Sequence, residues 1–389
     1  VTTTIGVLGG QWRAQVTAWG DLELDDGRTV AWHIAADDRW HRPAAEETVR
    51  QTRIDGTPVV ETKLRVPGGD AIHRVWAVAD HGGLTVIEVE NDSPMPIAVA
   101  LSGGGLVTSR PPTDVPIEGI ELPAGTIVLP VGHRTRVRAA IAHGAAPARL
   151  PDDLPGPNQV AGGWLAHSTQ ASRIVVPDPA AADALVAARC DLALEGPDAG
   201  DDAVLLAGIG ELVRMGEAAE PWVLDVVEAA QRLIDVGRKR RAAVSGPALW
   251  AAADVLAVAG EDRGAADIVA SIARLGDRVE HHLAPGGPAA TVHAIEDVLA
   301  RPVAAGECRL FPGGIPEAWW GQSFECHGLR AGPAQRLSFA VRWHGERPAI
   351  LWQVDGPGEV VITGGAHDPA WRSADRAGEA LLAAPTAAR

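Results

Sequence analysis

The side chains best suited to chemistry crowd between Phe311 and Val354, which hold four of the thirteen tryptophans and all three phenylalanines. Within that stretch Glu317 and Glu325 bracket the pair Trp319-Trp320, with Gln322 and His327 close by. An indole face stacks on the apolar C–H face of a sugar ring, while neighbouring carboxylates bind hydroxyls or move protons. Glycoside cleavage needs two carboxyl groups, roughly 5–5.5 Å apart for retention and roughly 6.5–9.5 Å for inversion. One of them must have its pKa raised by its surroundings. On this chemistry Glu317 and Glu325 are the candidate catalytic pair, and Trp319, Trp320, Gln322 and His327 are candidate ligand contacts. The chain has no tyrosine, so stacking falls almost wholly to tryptophan.

Each of these residues also has a plainer role to play. Glu317 follows Pro316 on a turn, and Glu325 fits an edge strand. Leu337, Phe339, Val341 and Trp343 alternate, as do Ile350, Trp352 and Val354, which is the spacing of core residues across a hairpin. Adjacent residues of a strand point to opposite faces, so one of Trp319 and Trp320 is expected to meet solvent, a ligand or a partner.

Other groups suggest less. Asp178, Asp201 and Glu220 stand where helices begin, and there a carboxylate satisfies free amides. His281, His282 and His293 lack the spacing of a zinc helix, so no metal and no other cofactor is expected. Cys190, Cys308 and Cys326 include no close pair and read as free thiols in a reducing compartment. The basic run Arg238-Lys239-Arg240-Arg241 sits at a helix end, where it complements the dipole. No phosphate loop and no Gly-x-Ser-x-Gly elbow occurs.

The elements that must position these residues follow from periodicity. Residues 1–144 alternate in short apolar stretches separated by turn signals such as Asp25-Asp26-Gly27 and Pro67-Gly68-Gly69-Asp70, which predicts an antiparallel β-sandwich of roughly a dozen strands. Residues 145–177 carry prolines at 147, 151, 155 and 157 and predict an extended connector. From 178 to 305 the period becomes 3.6, with helices expected over 179–194, 201–215, 221–236, 247–259, 264–275 and 289–300. Residues 306–389 predict a small β-domain. Its hairpin would turn through the four residues His344-Gly345-Glu346-Arg347, and its end, from 368, reads as loop, a short apolar segment and a polar tail. The fold class is therefore multidomain α+β.

Bulk properties narrow the partners. A formal charge of −16 on 389 residues repels nucleic-acid backbones and anionic lipid, so neither nucleic acid nor membrane is an expected partner. No apolar run approaches the ~18 residues of a spanning helix, and a soluble cytoplasmic protein is expected.

The succession of β-sandwich, connector, helices and small β-domain resembles that of bacterial glycoside hydrolases with an N-terminal β-supersandwich and an (α/α)6 toroid. The run HRVWAVADHGGLTVIEVENDSPMPIAVAL, including Val89-Glu90-Asn91-Asp92-Ser93-Pro94, is similar to their sandwich strands. Gly162-Gly163-Trp164 followed by Arg173-Ile174-Val175-Val176-Pro177-Asp178 is similar to the entry to the toroid. The resemblance implies a carbohydrate ligand near the junction of helices and C-terminal strands, with hydrolysis by paired carboxylates on loops at one end of the toroid. Residues 178–300 hold only half the helices of a complete toroid. The alternative is therefore a non-catalytic binding or self-assembling protein on a degenerate hydrolase scaffold, with a homo-oligomer as one way to complete the site.

Overall fold

The computed structural model describes residues 2–113 and 118–385. The described residues up to Leu165 form one compact unit, and those from Ala166 onward form a second.

The first unit is built on two antiparallel sheets of seven and six strands. In strand Thr29–Ala35 every second side chain is buried, as its sequence alternation requires. One buried cluster draws on both sheets: Ile5, Trp32, Ile34 and Val99 from the first, and Leu64, Val75, Ile87 and Ile141 from the second. In the six-stranded sheet the neighbouring strands Val60–Val66, Gly69–Val78, Leu84–Asn91 and Arg136–Ala142 run in order across the middle. Their register places Glu61 opposite Arg74, Arg74 opposite Glu88, and Glu88 opposite Arg138.

The expected extended connector is in part helical. Helix α1, Pro157–Ser168, begins with Pro157 at its first position, and Gln159 Oε1 accepts a bond from the Gly156 amide at 2.8 Å. A proline whose missing N–H costs nothing there, with a side chain reaching back to the cap, is a helix start rather than a spacer.

The remaining helices are α2, Pro179–Glu195; α3, Asp202–Arg214; α4, Val223–Lys239; α5, Gly246–Val258; α6, Asp262–Leu275; and α7, Gly287–Leu299. Asp178 caps α2 through the Ala181 amide, and Asp201 caps α3 through the amides of Ala203 and Val204. Glu220 caps nothing: it opens a 3-10 turn, Glu220–Trp222, that leads into α4 without a side-chain cap. On α4, Val226 and Ala230 are buried, but Val227 is 47% exposed.

The C-terminal strands form a four-stranded sheet and, together with Arg173–Val175 from before α2, a five-stranded sheet, mostly antiparallel. Strand Gln335–His344 pairs with Arg347–Asp355 in a register that opposes His344 to Arg347. The hairpin therefore turns in two residues rather than four, with Gly345 at φ +61°. Such short turns demand positive φ, which only glycine adopts freely. The expected terminal loop is two strands instead, Asp368–Ser373 and Ala377–Leu381, the latter completing the five-stranded sheet against Arg347–Asp355. The polar tail expected beyond 385 lies outside the described residues. Side chains of α2 and α7 (Leu185, Ala188, Val292, Leu299) share one core with Phe324, Leu337, Phe339, Ile350 and Trp352 of the sheet.

Candidate functional site

The segment from Glu317 to His327 is organised around the core rather than a cleft. Trp319 closes a 3-10 turn, Glu317–Trp319, is 8% exposed, and meets Phe324 edge-on at 5.4 Å. Trp320 is half-buried against the same core and donates its indole N–H to the Ile315 carbonyl at 3.0 Å. Gln322 is exposed; its side chain bonds back to the Ala318 carbonyl, and its own carbonyl accepts the Trp343 indole. The strand rule invoked for Trp319 and Trp320 fails because the pair lies on a turn, which stitches both rings to their own segment.

The two glutamates are placed differently. Glu317 is exposed on the turn. Glu325 lies in strand Phe324–Gly332, which is not an edge: Arg173–Val175 pairs along one side and Gln335–His344 along the other. Its carboxylate stands 3.3 Å from Arg173, 3.4 Å from His327 Nε2 and 3.9 Å from Arg342.

A stronger concentration of charge lies where α2, α3, α5 and α7 meet the five-stranded sheet. Arg189 of α2 donates to Glu211 of α3 at 2.6 Å and to Glu296 of α7 at 2.7 Å. Arg214 bonds the same two carboxylates at 2.7 and 2.8 Å. The Ser172 hydroxyl accepts from Arg189 at 2.8 Å and donates to Glu296 at 2.6 Å. Burial works to raise the Glu296 carboxyl, but Arg214 and Arg189 override it and hold it well below the ordinary range. A second knot joins it. Asp254 of α5 accepts from Arg336 at 3.0 and 3.1 Å, from Arg330 Nε at 3.2 Å and from the Ala334 amide at 2.8 Å. Burying each of these charges costs several kcal/mol, on the order of what its bonds return.

No motif announces this network. One signal was readable: Asp254 is a lone charge in the apolar run Ala251-Ala252-Ala253-Asp254-Val255-Leu256, and such a residue on a buried helix face must be paired. Beside the network lies a small cavity of about 30 Å³, whose lining includes Gly246, Trp250, His293, Glu296, Arg301 and Arg330. None of Glu317, Trp319, Trp320, Gln322, Glu325 and His327 lines it.

The first unit carries a larger concavity, a groove of about 700 Å³ over the six-stranded sheet. Its floor is the cross-strand row Glu61, Arg74, Glu88 and Arg138, with Glu90 and Arg136 beside it. Arg74 Nε donates to Glu61 at 2.7 Å, and Arg138 Nε donates to Glu88 at 2.7 Å. The Glu88 side chain is fully buried beneath these partners, whereas that of Arg136 is 60% exposed. Arg138 also lies 5.5 Å above the ring of the buried Trp76, whose indole bonds the Pro155 carbonyl at 3.1 Å. Leu154, Gly156, Pro157, Asn158 and Gln159 form the opposite wall, so the start of α1 is what turns a charged sheet face into a groove. Burial works to raise the Glu61 carboxyl, and the bonds from Lys63 and Arg74 override it, leaving it below its ordinary value.

Among the described residues no group of three or more His, Cys, Asp or Glu side chains is arranged to hold a metal ion, and no helix is long and apolar enough to cross a membrane. All three cysteines are buried, and burial pushes the Cys308 thiol up to about 12. Compared with known proteins, the chain matches no family model, no curated protein and no solved structure.

Proposed function

We propose that this protein recognises a sugar or oligosaccharide and does not cleave it. Its plan is that of a β-sandwich followed by a partial α/α toroid. The observation that carries the reading is the groove over the six-stranded sheet. Planar guanidinium, carboxylate and amide groups alternate along it, and the more exposed of them, Glu90, Arg136, Asn158 and Gln159, can bond neighbouring hydroxyls. Its volume, about 700 Å³, is that of a ligand-sized site. Half-buried Ile54 is the apolar side chain of the lining with surface left for the C–H face of a ring.

Binding is favoured over hydrolysis for an electrostatic reason. A glycosidase keeps one carboxyl protonated by holding it away from positive charge. In the groove, Glu61, Glu88 and Glu90 each stand within ion-pair distance of an arginine. Glu325 of the second unit is likewise ringed by Arg173, His327 and Arg342. The test is a panel of neutral and uronic-acid oligosaccharides titrated against the full chain by calorimetry, with product analysis of the same mixtures. Saturable binding without new reducing ends supports the reading; steady release of reducing ends overturns it in favour of a hydrolase.

A further inference from the structure

Helices α4 and α6 of the second unit leave a groove between them of about 490 Å³. Their C-terminal ends meet, where Arg278 Nη1 donates to the Gly237 carbonyl at 3.3 Å. Val227 and Arg238 mark the two ends of the groove on α4, roughly 16 Å apart along the axis. Helix α4 carries apolar residues on two faces. Val226, Ala229 and Ala230 are buried in the helical core, whereas Leu224 is 76% exposed, Val227 47% exposed and Ile234 half-buried. Leu224, Val227 and Ile234 recur at spacings that keep to one side of a helix, and Val227 and Ile234 line the groove. This second stripe is apolar surface that the core does not use.

One end of the groove is cationic, lined by Arg238, Arg274 and Arg278. Arg274 donates Nε to the Ala270 carbonyl at 3.1 Å and Nη2 to the Ser271 hydroxyl at 2.9 Å. Arg278 Nε donates to the Leu275 carbonyl at 3.2 Å. These neutral acceptors hold both guanidinium groups in place and leave their charge unspent. Arg238 stands 3.6 Å from Asp235, a carboxylate that Lys239 already holds at 2.7 Å. Residues 235–241 and 274–278 together set six cations against two acids, Asp235 and Asp277. Two helix C-termini amount to about one negative charge between them, so complementing the dipoles leaves most of the surplus unanswered. The one acid of the lining, Asp267, lies two turns back on α6, roughly 10 Å along the axis from Arg274. The groove is thus an apolar strip with its positive charge gathered at one end.

We infer that the groove between α4 and α6 binds a single-chain amphiphile with an anionic head, of the long-chain carboxylate class. Its chain lies over Val227 and Ile234, and its head sits among Arg238, Arg274 and Arg278. The volume is that of a small-ligand site, and the site is independent of the sugar groove on the first unit. The test is calorimetry on the full chain with decanoate, decyl sulfate and decyltrimethylammonium, each below its micelle-forming concentration. Decanoate and decyl sulfate bind saturably, one per chain, and the cationic analogue binds about tenfold or more weakly. Arg274→Gln combined with Arg278→Gln weakens decanoate by about tenfold or more, as does Val227→Asp at its exposed position. Arg232→Gln, whose side chain pairs with Asp202 outside the groove, leaves the affinity unchanged. Should the double variant fail to fold, Val227→Asp decides. The inference is overturned by the absence of a saturable response, by equal affinity for the cationic analogue, or by affinity that survives in Val227→Asp. It is overturned equally if decanoate gives no response while phosphatidylglycerol vesicles bind, or while sedimentation shows a dimer that Val227→Asp dissolves; the groove then belongs to a membrane surface or to a second copy.

Discussion

At the scale of single residues, the tryptophans most attractive to a ligand argument are held by their own segment. Trp319 is packed among Phe324 and the sheet core, so Trp319→Ala acts as a cavity mutation and costs about 3–5 kcal/mol in urea unfolding. A loss below ~1 kcal/mol would mean that the ring contributes little to the core. Glu296 makes the opposite case, a polar residue whose importance is structural. Removing its charge leaves Glu211 as the one carboxylate that Arg189 and Arg214 share, two buried cations against one anion, and Glu296→Gln costs about 3–5 kcal/mol. Its acid limb has a definite sign. The folded carboxyl is held below the ordinary value of 4.5, so its contribution is complete above that pH. As pH falls further the unfolded chain takes the proton first, and stability declines by up to ~1.4 kcal/mol per pH unit until the folded carboxyl itself titrates. Chemical denaturation across pH 3–5 should show that slope in the unaltered protein and a shallower one in Glu296→Gln.

At the scale of elements, legibility followed the strength of local signals. Helices α2, α3 and α5 were readable because Asp178-Pro179, Asp201 and Ser245-Gly246-Pro247 are cap chemistries with few other uses. Helix α1 was not, because Gly162-Gly163 interrupts it and its opening proline is one of several nearby. Its readable marks were Pro157 followed by Gln159, the latter closing back on the Gly156 amide. Gln159→Ala should therefore lower the stability of the first unit by about 0.5–1 kcal/mol, measured by urea unfolding, and unchanged stability would deny the cap any role. The terminal strand Ala377–Leu381 escaped for a different reason. Its pairing with Arg347–Asp355 supplies what its weak Ala-Gly alternation does not, a case of tertiary context deciding a strand. The candidate site was legible only as composition. Charge pairs that join α2, α3 and α7, or the strands of the six-stranded sheet, are set by packing and register and leave no local pattern.

At the scale of the whole molecule, an acidic chain gathers some of its arginines into two ordered arrays, one on the sheet groove of the first unit and one inside the second. The first array meets a concavity of about 700 Å³, and the second lies beside a cavity of only about 30 Å³. The central claim is that the groove, and not the tryptophan turn, recognises a carbohydrate. It is tested most directly by comparing oligosaccharide affinity of the unaltered chain with that of Arg136→Ala, whose side chain is largely exposed, and of Trp320→Ala. Loss of a charged hydrogen bond predicts a weakening of about tenfold or more for Arg136→Ala. Trp320→Ala should bind as the unaltered chain does. Undiminished binding by Arg136→Ala together with lost binding by Trp320→Ala would contradict the account and return the site to the segment around Trp319-Trp320.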